Sequence, residues 1–152
     1  MEYRIEIKPK FEDLFKKLGK DAGEGRAVAF QNVLLAVEAK AAETEAPHAK
    51  TSNLTNGIHN FLLGPGRGGV MATAKDKRGH DYASDVHDGT RPHEIRPKNA
   101  RALFWPGASY PVMVVHHPGF KGRPFFDISV KKLKVESIYD QGLQNFLRTR
   151  GW

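Results

Sequence analysis

Tyr3, Ile5 and Ile7 alternate with charged residues at the start of the chain, the two-residue period of a half-buried strand. Pro9 predicts where that strand stops. Phe11, Leu14, Phe15 and Leu18 then recur at i, i+3, i+4 and i+7, which predicts one stripe of a short amphipathic helix. Gly19 and the Gly23–Gly25 segment predict a break. The run from Arg26 to Ala46 is rich in Ala, Leu and Glu and free of Gly and Pro, and is the clearest helix in the chain. Its first half is apolar on most sides, which predicts packing against the core, and Pro47 ends it.

Beyond this helix the pattern shortens. Thr51 to Leu63 starts with cap-type residues and turns apolar, predicting a short helical turn that leads into a strand. Gly64 to Gly69, GPGRGG, predicts a flexible, hairpin-like loop, with a short strand from Val70 to Ala74 behind it. Tyr82 and Val86 stand one helical turn apart, and Gly89 is placed as a left-handed stop. Arg91 to Asn99 holds two prolines and predicts a loop or an edge segment. Arg101 to Trp105 and Tyr110 to His116 predict two strands joined by Pro106-Gly107. Pro118 to Pro124 predicts a turn-rich loop, and Ile128 to Arg148 an imperfect helix with Gly142 inside it. No repeat or heptad array interrupts this order. The sum is one α+β domain over residues 1–152, a small and mostly antiparallel sheet packed by two or three helices, with long loops.

Composition narrows the classes. The 152 residues suffice for one buried core. The chain has no cysteine, which removes disulfides, thiolate catalysis and Cys-based zinc sites. No segment approaches the roughly 20 apolar residues of a membrane span, so no membrane partner is expected. The first ten residues lack the apolar run of a signal peptide, which predicts a protein that stays in the cytoplasm where it is made. The formal charge of +7 is one-sided: residues 1–50 carry nine Lys/Arg and nine Asp/Glu, residues 51–152 fifteen and eight. Such asymmetry fits a polyanion such as DNA or an acidic protein face; the simpler reading is solubility.

His80, Asp81, Asp85, His87, Asp88 and His93 lie within fourteen positions, with His116 and His117 later. A metal-dependent nuclease could use such ligands, but the spacing matches no metal motif, and ordinary surface or interface histidines fit better. The Gly64–Gly69 loop lacks the Lys-Ser/Thr pair of a nucleotide-binding loop. No Gly-x-Ser-x-Gly elbow occurs. No catalytic residue, metal or cofactor is therefore expected. Arg91, Arg96, Lys98, Arg101, Lys121 and Arg123 are interleaved with Phe104, Trp105, Tyr110, Phe120, Phe125 and Phe126. Basic groups with aromatics can bind nucleic acid, whereas core or interface anchoring accounts better for most of the aromatics.

Four blocks between Lys50 and Phe126 carry a resemblance. They are Thr51-Ser52-Asn53-Leu54 followed by Ile58; Tyr82-Ala83-x-x-Val86-x-x-Gly89-Thr90 with Pro92-His93-x-Ile95-x-Pro97-Lys98; Ala102-Leu103-Phe104-Trp105 with a glycine soon after; and His117-Pro118-Gly119 leading to Arg123-Pro124-Phe125-Phe126. In order and spacing they resemble the neck and tail-completion proteins of long-tailed bacteriophages, small proteins that join the head to the tail. Ser52 departs from the glycine usual there, the Gly64–Gly69 loop is unusual, and residues 1–50 match only in being helical. The resemblance implies a non-enzymatic virion protein at the head–tail interface, assembled in the host cytoplasm. It implies a homo-oligomeric ring of six-fold or twelve-fold symmetry around the DNA channel, between portal or head-completion proteins and tail-terminator or tail-tube proteins. Tyr82, Val86, Gly89, Thr90, Pro92, His93, His117, Pro118, Gly119, Pro124 and Phe125 are then interface or motif residues. Arg67, Arg91, Arg96, Lys98, Arg101, Lys121 and Arg123 are candidates to face DNA or a partner. Alternatives are another ring of the same particle (a tail terminator or head-completion stopper), a basic DNA-binding protein, or the nuclease above.

Overall fold

The computed structural model describes residues 1–6, 19–48 and 51–151. The expected helix from Phe11 to Leu18, with Ile7 and Pro9 before it, lies outside the described residues. Helix α1 spans Lys20–Glu45, followed by a 3-10 turn at Ala46–His48. Ala29, Phe30, Val33, Leu34, Val37 and Ala41 are its fully buried positions, spaced three and four apart as one stripe requires. The helix begins six residues earlier than the glycines predict. Gly23 and Gly25 lie inside it: at Gly25 close packing outweighs the low helix propensity, whereas Gly23 is exposed with nothing near it. A Cβ on Gly25 would stand 2.8 Å from the Phe146 ring and 3.0 Å from Leu143, so this glycine lets another helix cross α1 at short range. The first half is not buried all round: Val28 and Leu35 face outward.

Strands β1 (Glu2–Glu6), β2 (Ile58–Gly64) and β3 (Arg67–Ala72) form an antiparallel sheet with β3 in the centre, and helix α2 (Asn53–Asn56) leads into β2. This is the turn-then-strand expected from Thr51 to Leu63. The GPGRGG segment is mostly not loop. Only Pro65 and Gly66 form the turn, while Arg67, Gly68 and Gly69 pair on both sides as part of the central strand. A Cβ on Gly68 would meet the Phe61 carbonyl oxygen at 2.3 Å, and one on Gly69 the Tyr3 carbonyl oxygen at 2.1 Å. The glycines are therefore there to let three strands close up.

Helix α3 spans Ala83–Asp88, α4 Phe125–Lys132 and α5 Val135–Thr149. The single helix expected from Ile128 to Arg148 is thus two helices, parted where Leu133 is extended. The apolar stripe slips phase there: a helix continuing from Val130 and Leu133 would bury position 136 or 137, yet the apolar residues are Val135, Ile138 and Tyr139. The break restores the register. Phe125 and Phe126 are fully buried against α1 and β1, with Tyr3 in ring contact with Phe126 at 5.6 Å. The architecture is α+β with small antiparallel sheets, as the sequence predicts. Among the described residues no helix is long and apolar enough to cross a membrane.

Candidate functional site

Between α3 and α4 the chain makes one excursion. Strand β4 (Gly89–Thr90) pairs with β7 (Phe120–Lys121), and β5 (His93–Ile95) with β6 (Val115–His117). Gly89 opposes Lys121, His93 opposes His117 and Ile95 opposes Val115, so the two ladders share one register. They form a single two-stranded arm, closed further out by a bridge between Leu103 and Val112. The two strands expected from Arg101 to Trp105 and Tyr110 to His116 reduce to that one bridge. The end of the second nearest the root finds its partner at His93–Ile95 instead. Pro92, Pro97, Pro111 and Pro118 remove donors, which explains why the ladder is interrupted rather than continuous.

No residue from 91 to 121 is fully buried. Phe104, Tyr110 and Met113 are 67%, 69% and 64% exposed, and Ile95, Trp105 and Phe120 are exposed as well. The arm contains Arg91, Arg96, Lys98, Arg101 and Lys121 against one carboxylate, Glu94. Glu94 accepts a bond from Arg96 at 2.7 Å, and the Arg96 guanidinium holds its carboxyl below the usual carboxylate range. Phe104 and Trp105, expected as core or interface anchors, do not belong to the core; only Phe125 and Phe126 do. A hollow of about 600 Å³ lies beside the arm, between Arg78, Ile95, Lys98 and Leu103.

The root of the arm is built tightly. Gly89 and Gly119 have φ of +84° and +75°, the left-handed conformation that glycine adopts without strain. A Cβ on Gly119 would strike the Thr90 carbonyl oxygen at 2.3 Å, and one on Gly122 the Asp88 carbonyl carbon at 2.3 Å. The Arg123 amide donates to the Val86 carbonyl at 2.9 Å. The Arg123 guanidinium reaches Glu45 at 2.9 Å, a carboxylate only 1% exposed at the end of α1. Arg123 thus serves as the counter-ion of a buried charge. Glu45, Thr51, Leu54, Tyr82, Val86 and Arg123 line a hollow of about 320 Å³ at this root.

Beneath it, His87 is buried edge-on to Phe125, with ring centroids 5.0 Å apart. Its Nδ1 lies 2.6 Å from Asp88, and its Nε2 is 3.8 Å from Asp127 with no hydrogen bond. The Tyr3 hydroxyl donates to Asp127 at 3.1 Å; burial, then that bond and the aspartate charge, raise the Tyr3 pKa. Asp81 accepts the amides of Ala74 and Ala83 at 2.9 and 3.1 Å, and these two bonds lower its pKa. It fastens the end of the sheet to the start of α3.

The residues singled out in the sequence are therefore sorted by position. Tyr82, Val86, Gly89, Thr90, Gly119, Pro124 and Phe125 come together at the root. Pro92, His93, His117 and Pro118 lie just above it, with His93 and His117 stacked at 5.0 Å across the ladder. Arg91, Arg96, Lys98, Arg101 and Lys121 are exposed along the arm. Arg67 is exposed on β3, in the three-stranded sheet, and is not part of the arm. The histidines and aspartates do not converge. His80 pairs with Asp85 at 2.9 Å, which raises the His80 pKa, while His87 is with Asp88 and His93 with His117. Among the described residues no three His, Asp or Glu side chains are grouped to hold a metal ion. Glu45 was missed, although it continues the buried stripe through Val37 and Ala41 by four-residue steps. Gly122 was also missed, with no signal separable from an ordinary turn residue, and Asp81, weighed as a metal ligand, instead accepts two backbone amides. Comparison with family models, curated proteins and solved structures returns no match.

Proposed function

We propose that this chain is a structural, non-enzymatic subunit of a tailed-phage particle, acting in a ring at the head–tail interface that joins the DNA-filled head to the tail. One observation carries the reading. Three of the four blocks that resemble neck and tail-completion proteins, between Tyr82 and Phe126, build one object, a two-stranded arm with a tight root and an exposed surface of aromatic and basic residues, and Thr51 and Leu54 of the first block line the hollow at that root. Aromatic residues, Met and Arg are enriched where proteins dock, and a firm root limits the entropy lost on docking. In this reading the arm meets a neighbouring subunit or a neighbouring ring, and Arg91, Arg96 and Lys98 face DNA or an acidic partner.

Removing the gene from its phage genome and imaging the induced lysate by electron microscopy tests the role. Separate filled heads and finished tails, rejoined on adding purified protein, are the expected result; whole particles without the protein would reject it. Charge reversal at Arg91, Arg96 and Lys98 should reduce joining or DNA passage. Unchanged infectivity in all three would remove those residues from the mechanism. A second reading, DNA binding, is favoured by the five cations of the arm against one carboxylate. It requires an affinity that falls steeply with salt, which a filter-binding titration measures.

A further inference from the structure

Among the described residues, the large apolar side chains that the fold leaves exposed fall into two groups. One is the arm: Ile95, Phe104, Trp105, Tyr110, Met113 and Phe120. The other is on the body: Val28 and Leu35 of α1, with Leu62 and Leu63 of β2. The body group is largely one face. Val28 and Leu35 are seven residues apart, about two helical turns. Gln31 lies between them on the same side and donates to Asn60 of β2 at 2.9 Å, and Leu62 follows Asn60 by two positions on the same face of the strand. The Asn60 amide donates to Glu38 of α1 at 3.0 Å, so at this position the edge of β2 is already occupied and offers side chains rather than a free strand edge.

We infer that the arm of one copy docks on the α1/β2 face of the next copy, with the aromatic tip of the arm covering Val28, Leu35 and Leu62. The contact rests on the proposed ring and supplies its subunit–subunit interface. Charge selects this pairing over arm against arm. The arm carries five Lys/Arg and one Glu, so two arms repel, whereas the helix between Arg26 and Lys40 has Glu38 as its sole charged residue. Like charges across an interface are penalised and opposite charges fix register. Two different patches on one chain make a head-to-tail contact, which closes into a ring when the rotation per subunit divides a circle.

The chain has no cysteine, which makes a crosslinking test direct. Ser109→Cys lies at the tip of the arm and Ala39→Cys one turn beyond Leu35, both exposed, and neither removes an apolar contact residue. The two full-length variants are mixed in equal amounts, concentrated and oxidised. The expected product is the mixed Ser109→Cys/Ala39→Cys dimer, in about tenfold excess over either homodimer, the ratio produced by a preference of 1.4 kcal/mol. Adding Phe104→Ser to the Ser109→Cys chain should abolish the excess while leaving the circular dichroism melt unchanged. A two-to-one ratio from random pairing, or no crosslinked product, would overturn the contact. The role itself is tested separately: joining by the wild-type protein without this crosslink leaves the role and removes the contact, and the crosslink without joining does the reverse.

Discussion

The body and the arm are stabilised in different ways. In the body, Phe30, Val33, Leu34, Val37, Phe125 and Phe126 have no solvent exposure, and hydrophobic burial of about 25 cal/mol per Å² acts at each. From 91 to 121 nothing is fully buried, and an isolated two-stranded ribbon is marginal in water. The arm therefore owes its order to its root, where glycine contacts, the Arg123 amide bond to Val86 and the Arg123–Glu45 pair tie it to α3 and α1. Stability and exposed apolar surface are thus assigned to different residues, and substitutions should separate them.

The largest separation is expected between the two sets of aromatics. Phe125→Ala leaves a cavity in the core and should cost about 3–5 kcal/mol, read as a lower urea midpoint. Phe104→Ala and Tyr110→Ala should stay within about 0.5 kcal/mol of wild type while losing subunit contact. Equal destabilisation by Phe104→Ala would mean that the arm packs on the body and is not a free surface. Next comes the root. Arg123→Ala leaves Glu45 buried without its counter-ion and should cost about 1–3 kcal/mol, the lower part of the range reflecting the partial exposure of Arg123. Arg91→Ala, Arg96→Ala and Lys98→Ala should each change the melt by less than about 0.5 kcal/mol. An Arg123→Ala protein as stable as these would remove the distinction between root and surface cations.

The smallest of the expected losses of stability is at Asp81. Asp81→Ala removes an acceptor from two backbone amides and should cost about 1 kcal/mol. The Asp81 pKa is lowered in the folded protein from its ordinary value of 3.8. Its contribution is therefore complete above that value and is lost as pH falls through the lower folded value. Acid unfolding followed below about pH 4 should be less steep in Asp81→Ala than in wild type. Parallel acid curves would show that the carboxylate does not couple the sheet to α3.

What the sequence revealed differs between the regions for the same physical reason. The body has a buried face, so periodicity exposed β1, most of α1 and the turn into β2. It failed where packing overrode local preference: Gly25 inside α1, Gly68 and Gly69 inside β3, and the phase slip at Leu133 that divides α4 from α5. The arm has no buried face, so alternation carries little information there. Its turns were legible through Gly89 and Gly119, whose positive φ only glycine meets readily, but the pairing of His93–Ile95 with Val115–His117 joins residues 20 to 24 positions apart. Of the candidate site, the exposed cations and motif residues were visible. The role of Arg123 was not, because its partner Glu45 lies in a distant helix.

The most direct test of the central claim is rejoining in vitro. Heads and tails from a lysate lacking this protein would be mixed with purified wild type, with a Phe104→Ser/Tyr110→Ser double variant, or with Arg91→Ala, and particles counted by electron microscopy. The account predicts efficient joining with wild type and loss with the double variant, although its thermal melt matches wild type. Joining by a folded double variant at the wild-type level would contradict a docking role for the arm. Failure of the wild-type protein to join heads to tails would contradict the assembly role itself.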